Sequence, residues 1–232
     1  MKQALRMAIL IWPWILTALL WTGNPIPAYA SGPIVLDGVF SDWAGHANIA
    51  DDTGDANQDK WDIIMFWWAD NDEVSNGYWR VDRVSSSKNV TYVLHIDTND
   101  NGDFNDNVDR EVEVTYKPRD VDSQVDVKVR YGDTQVTISH TKKNDWGESV
   151  NEGGRSVEFK ASFADLGLNP NQVIRFYVTA SGDSSEKDRA PDAGDIQWSV
   201  VNILGYPMLA GLMIGASLLL WRMRGRFSWT KG

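Results

Sequence analysis

The sequence predicts an all-β protein: a two-sheet antiparallel β-sandwich followed by one C-terminal transmembrane helix. Three observations lead there. First, apolar and polar residues alternate with period two along much of the middle of the chain. Val112, Val114 and Tyr116 alternate with Glu111, Glu113 and Thr115, and Val125, Val127, Val129 and Tyr131 alternate with Asp126, Lys128 and Arg130. Each such segment has one apolar face, and two sheets packed face to face bury those faces. Second, no stretch shows a βαβ rhythm or a Gly-rich phosphate loop. Third, Val200 to Trp221 is an apolar run long enough to cross a ~30 Å hydrocarbon core at ~1.5 Å per residue.

Taken in order, residues 1–30 read as a signal peptide. A basic start is followed by the run MAILIWPWILTALLW and the small-residue site Ala28-Tyr29-Ala30, which predicts cleavage before Ser31. Residues 31–199 form the domain outside the membrane. Strands are expected at 61–69, 78–84 and 91–97, then around 111–116. A hairpin follows, with strands 124–131 and 134–141 about the turn Tyr131-Gly132-Asp133-Thr134. Alternation returns at Val157, Phe159 and Ala161, and again at Ile174, Phe176, Val178 and Ala180; only FADLG at 163–167 reads as a helical turn. Residues 200–221 are the predicted span. Residues 222–232 carry Arg222, Arg224, Arg226 and Lys231, which places the tail in the cytoplasm and the protein in the cell membrane as a single-pass chain. Trp198 and Trp221 stand where interfacial aromatics belong. Gly211 and Gly215 form a GxxxG pair through which two such helices could pack as a homodimer.

Composition narrows the chemistry. The chain has no cysteine, so thiolate metal sites and thiol nucleophiles are excluded. Residues 31–200 hold all 32 acidic residues and 16 of the 22 basic ones, a balance of −16. That charge repels nucleic acid and favours cations.

The most informative stretch is DTNDNGDFNDNVD, residues 97–109, with five aspartates and four asparagines between two strand-like segments. Carboxylates this crowded repel one another unless water or a cation screens them. Oxygen-only ligands on a short loop are what Ca²⁺ selects. Against the calcium-loop template D-x-[DN]-x-[DN]-G, Asp97, Asn99, Asn101, Gly102 and Asp103 fall in register. Asn105, Asp106 and Asp109 supply further oxygens. Val108 holds the closing position, so Asp106, Asp109 or Glu111 must close the site. A second candidate is Asp51, Asp52 and Asp55, with Asp59 and Asp62 nearby. Both loops also suit plain solvated Asx-turns.

Tryptophans supply the other candidate chemistry, because flat rings stack on the apolar faces of sugars. Trp79 and Trp146 stand among polar neighbours and are candidate platforms; one of Trp67 and Trp68 faces outward from strand 61–69. Trp43 is expected in the core.

The opening Ile34-Val35-Leu36-Asp37-Gly38-Val39-Phe40-Ser41-Asp42-Trp43 resembles the start of family 9 carbohydrate-binding modules and of the wider DOMON-like β-sandwiches. A second similarity covers SFADLGLNPNQVIRFYV, then Asp188-Arg189-Ala190-Pro191-Asp192 and Gly194-Asp195-Ile196-Gln197-Trp198. The resemblance implies an immunoglobulin-like or jelly-roll sandwich, often calcium-stabilised, often binding sugar between aromatic rings, and without catalytic activity. Some DOMON-like members bind haem; here Met65 with His95 or His140 would have to serve as axial ligands. HExxH, GxSxG and a cysteine nucleophile are all missing from the sequence. The expected function is therefore non-catalytic, calcium-stabilised recognition of carbohydrate or a cell-wall polymer at the bacterial cell surface. The alternative is a structural or protein-interaction module rigidified by calcium.

Overall fold

A computed structural model describes residues 32–70, 75–182 and 185–199. The predicted signal peptide 1–30, the predicted span 200–221 with its Gly211/Gly215 pair, and the basic tail lie outside the described residues. Among the described residues no helix is long and apolar enough to cross a membrane.

The domain is all-β, with two antiparallel sheets. Eleven strands are described: β1 Ala47–Ala50, β2 Ile63–Asp70, β3 Asn76–Arg83, β4 Val90–Asp97, β5 Arg110–Tyr116, β6 Val125–Tyr131, β7 Thr137–Lys143, β8 Ser156–Ser162, β9 Val173–Gly182, β10 Ser185–Ala190 and β11 Ile196–Ser199. The smaller sheet has the order β1-β2-β3-β8. The larger runs β10-β9-β4-β5-β6-β7, with β11 pairing the other end of β9 beside β10.

The alternating segments become strands because each has one apolar side to bury. Leu94 and Ile96 of β4, Val112 and Val114 of β5, and Phe176 and Val178 of β9 fill the space between the sheets. Trp79 and Val81 of β3 and Val157 and Phe159 of β8 meet them from the smaller sheet. FADLG forms the helical turn Phe163–Leu166. Ser162 Oγ accepts from Asp165 N at its start, and Gly167 closes it with φ +67°.

Strand β2 departs from strict alternation. A bulge between Ile63 and Met65 shifts its register on β3. Ile63, Phe66 and Trp68 therefore share the core side, while Trp67 and Ala69 face the opposite side of the sheet.

That opposite side is covered by the N-terminal segment, where Trp43 packs with Ala69 and Tyr78 against Ile34, Leu36, Phe40 and Trp67. Glu158 on β8 holds the segment down. Its Oε1 accepts from Asp37 N and Gly38 N, both at 2.8 Å, and its Oε2 accepts from Trp43 Nε1 at 2.8 Å. Gly38 is needed at its position: φ is +76°, and a Cβ there would lie 2.8 Å from Asp145 O. Arg80 adds a lid, its guanidinium bonded to Asp82 and lying over Phe40 and Trp67. The Asp-Gly and Ser-Asp-Trp elements thus form a clasp on the smaller sheet.

Arg83 plugs the gap between loops at the other end of β3. It is fully buried, and its nitrogens donate to the carbonyls of Gly154, Lys60, Ser86 and Lys88 at 2.7–3.0 Å.

Candidate functional site

The strongest candidate is an acidic seam where the edges of the two sheets meet. Asp51 leaves β1 of the smaller sheet; Asp188 lies on β10 of the larger, and Asp192 follows it. Asp51, Asp55, Asp188 and Asp192 each offer a carboxylate oxygen, and the four oxygens lie within 4.8 Å of one another. Hydrogen bonds position them. Ile63 N at the start of β2 donates to Asp188 Oδ2 at 2.6 Å, joining one sheet to the other. Gly54 N donates to Asp62 Oδ2 at 2.8 Å and folds the loop 51–62 back on itself.

Electrostatics show what this arrangement costs. Burial, then the carboxylates of Asp192, Asp188, Asp55 and Asp52, push Asp51 up to about 7. Burial, opposed by bonds from Ile63 and Arg189 and assisted by Asp55 and Asp62, pushes Asp188 up to about 6. Asp62 is raised too, chiefly by burial. Oδ2 of Asp51 and Oδ1 of Asp62 are buried with no hydrogen-bond partner. Orphaned acceptors beside crowded carboxylates are what a cation would satisfy, so the residues fit a hard divalent ion. Asp51, Asp55, Asp188 and Asp192 would hold it.

Sequence reasoning reached only half of this seam. Asp51 and Asp55 were legible in the loop. Asp52 is exposed and stands outside the four-carboxylate cluster. Asp188 and Asp192 belong to the quoted DRAPD stretch, but their convergence on Asp51 depends on β10 meeting β2. The available signal was a pair of aspartates four apart at a strand end.

The loop 97–109 folds as nested Asx-turns. Buried Asp97 accepts from Asn99 N and Asn101 N at one oxygen and from Gly102 N, at 2.7 Å, at the other. Buried Asp109 accepts from Thr98 N and Asp106 N. The side chains of Asn99 and Asn101 both converge on Asp106 Oδ2, at 3.2 and 2.6 Å. The structure therefore brings Asp97, Asn99, Asn101, Asp106 and Asp109 into one knot. Asp103 and Asn105 are exposed and bonded to each other, with Asp103 Oδ1 accepting from Asn105 N at 3.0 Å. Asp100 turns instead to Arg175 at 2.5 Å.

The tryptophan expectations need correction. Trp79 is 0% exposed, stacked on Phe159 at 5.8 Å between ring centroids. It is a core residue, because its polar neighbour Arg80 points to the other side of the strand. Trp68 is partly buried and packs edge-on against Phe176 at 5.6 Å. Trp146 is 7% exposed, its backbone carbonyl accepting from Glu158 N along the edge of β8. None of the three is an open platform. Trp43 is buried as expected, fully enclosed in the hydrophobic cluster beneath the N-terminal clasp.

Trp146 does line a cleft. The smaller sheet ends at β8, while the larger continues through β6 and β7, so the inner side of β7 has no strand over it. The resulting cleft of about 160 Å³ is bounded by Ser139 and Thr141 of β7, Trp146, Asn76, Lys160 and Asp165. Its lining residues carry hydroxyl, amide, ammonium, carboxylate and indole groups.

The haem geometry is not assembled. His95 and His140 lie on the outer face of the larger sheet, paired with Glu111 at 3.3 Å and Asp126 at 2.6 Å. Met65 belongs to the smaller sheet, opposite Ala50 and Asp82.

Comparison with family models, with curated proteins and with solved structures finds no match.

Proposed function

We propose that this domain is a non-catalytic surface module whose two sheets are clamped by a divalent cation, and that it recognises carbohydrate. The observation that carries the reading is the convergence of Asp51, Asp55, Asp188 and Asp192 at the seam, beside orphaned oxygens of Asp51 and Asp62. All-oxygen ligation favours calcium. The knot at Asp97, Asn99, Asn101 and Asp106 is a second calcium candidate, in which rotated asparagine amides would present oxygen in place of nitrogen. The cleft at Trp146 suits one sugar ring, with hydroxyl and carboxylate groups to fix it and the indole edge for apolar contact. The DOMON-like or family 9 carbohydrate-binding resemblance and an immunoglobulin-like or jelly-roll topology agree with this reading. The apolar run 200–221 and its basic flank support display from a single-pass membrane anchor.

A second reading has its own support. The outer face of the larger sheet is polar, with Glu113 paired to Lys128 and Arg130, and Asp126 to His140 and Lys142. Such a face suits a protein partner.

Thermal unfolding with calcium, magnesium or chelator tests the clamp. An ion at 100 times its Kd adds about 2.7 kcal/mol, which for a domain of this size raises Tm by roughly 5–10 °C. The double variant D51N/D188N should lose that increment. A melting temperature indifferent to calcium and chelator refutes the clamp. A glycan panel read by tryptophan fluorescence, with W146F and T141V as controls, tests the cleft; silence across the panel refutes carbohydrate recognition there and favours the protein-partner reading.

A further inference from the structure

We infer that the end of the domain carrying the loop 97–109 rests on the lipid headgroup surface. The inference builds on the reading of Val200–Trp221 as a membrane span. Strand β11 pairs antiparallel with β9, which pairs antiparallel with β4, so β11 and β4 run in the same direction. Gln197 and Asp97 both stand opposite Arg175 and are therefore level with each other. The side chain of Gln197 reaches the loop itself, donating to Asp100 Oδ2 at 3.3 Å. Strand β11 continues to Ser199, about 7 Å further at ~3.3 Å per residue. In the sequence the apolar run begins at the next residue. No spacer separates the last strand from that run. The interfacial layer is about 5–7 Å deep on each side of the hydrocarbon, so the loops around the exit of β11 must lie in or against it.

Those loops carry side chains suited to that place. Val108, Tyr131, Val136 and Val173 are all exposed there. A chain of contacts links them into one end of the molecule. Val173 is the register partner of Ser199. Gln172 beside it donates to Thr98 O at 2.5 Å, and Thr98 Oγ1 donates to Val108 O at 2.9 Å. Arg110 donates to Val108 O at 2.6 Å and lies over the Tyr131 ring at 4.5 Å. Tyr131 N donates to Val136 O at 3.1 Å. Tyrosine, a cation and small apolar side chains are what a headgroup layer accepts. The five aspartates of the neighbouring loop would be repelled by anionic lipid. The surface that fits is zwitterionic.

The absence of native cysteine makes the test direct. V136C and V121C are labelled separately with a fluorophore in the full chain, reconstituted in phosphatidylcholine vesicles that contain a headgroup quencher. Val121 sits on the β5–β6 loop at the opposite end and is 82% exposed. Several-fold stronger quenching at position 136 than at 121 is expected, and V173C should follow V136C. Equal quenching at both ends, or stronger quenching at 121, overturns the inference while the span stands. Release of the chain by alkaline carbonate overturns the span reading, and the inference with it.

Discussion

Replacing Glu158 by glutamine should change how the protein's stability depends on pH. The carboxylate is fully buried and receives three donors, Asp37 N, Gly38 N and Trp43 Nε1. Burial dominates, opposed by those donors, and raises its pKa from an ordinary 4.5 to about 7. The folded state therefore holds the proton more tightly than the unfolded state does. Stability from this group is complete below about pH 4.5 and is lost as pH rises through about 7. A shift of that size corresponds to about 3 kcal/mol. Glutamine cannot ionise, so the variant lacks this loss. It pays instead at every pH, because its amide nitrogen faces either the Trp43 N–H or the two backbone donors, at about 1–3 kcal/mol for an unmatched buried donor. Urea unfolding followed by tryptophan fluorescence at pH 4.5, 6 and 8 measures both effects. The variant should be the weaker protein at pH 4.5 and should close the gap by pH 8. Parallel profiles in the two proteins would show that Glu158 titrates at the same pKa in the folded and unfolded states, and the reasoning would fail.

Two glycines separate backbone strain from collision. G38A should lose more than about 1 kcal/mol, because φ is +76° and the new methyl would meet Asp145 O at 2.8 Å; the urea midpoint reads it. G102A has φ +87° but open space, so it should cost only about 1 kcal/mol, while disturbing the Asp97 acceptor geometry and any calcium affinity of that loop. R83M should be far worse, about 3–5 kcal/mol, since it leaves four loop carbonyls without the buried guanidinium that now bonds them. Equal midpoints for R83M and wild type would exclude a structural role for that plug.

Most of the sandwich was legible because its central strands carry their own pattern. β4, β5, β6 and β9 alternate apolar and polar residues so strictly that their faces could be assigned from sequence. β10, SEKDRA, carries one apolar residue at its end and β1 is only four residues long, so neither announced itself. β11 hides between an aspartate-rich turn and the apolar run. Trp79 shows a different failure. Its polar neighbours suggested exposure, yet in a strand the polarity of adjacent residues describes the opposite face. The loop at 97–109 was visible because all its carboxylate and amide groups are local in the sequence. The seam was half visible because it joins residues 51 and 188, and Ile63 to Asp188 is a contact across 125 positions.

The seam and the clasp answer the same mechanical problem. The two sheets have unequal widths, so apolar packing alone cannot close their margins. A disulfide is one way to close such margins, and this chain has no cysteine. Polar groups do the closing instead: Glu158 fastens the N-terminal segment, Arg83 draws four loop carbonyls together, and Asp188 reaches across to Ile63 N. The first two are complete as they stand. The third is not, because four carboxylates crowd there while buried oxygens of Asp51 and Asp62 have no partner. An ion bound at that margin would hold both sheets at once, and only in the folded state, so its binding energy would appear directly as stability. Stability would then follow the divalent cation concentration in solution, and the margin between β2 and β10 would be the first part of the sandwich to open under chelation. Hydrogen exchange should report this as early loss of protection at Ile63 N, whose acceptor is the seam carboxylate itself. Protection at Ile63 that is unchanged by chelator, alongside early opening at Leu94 in the centre, would place the weak point elsewhere.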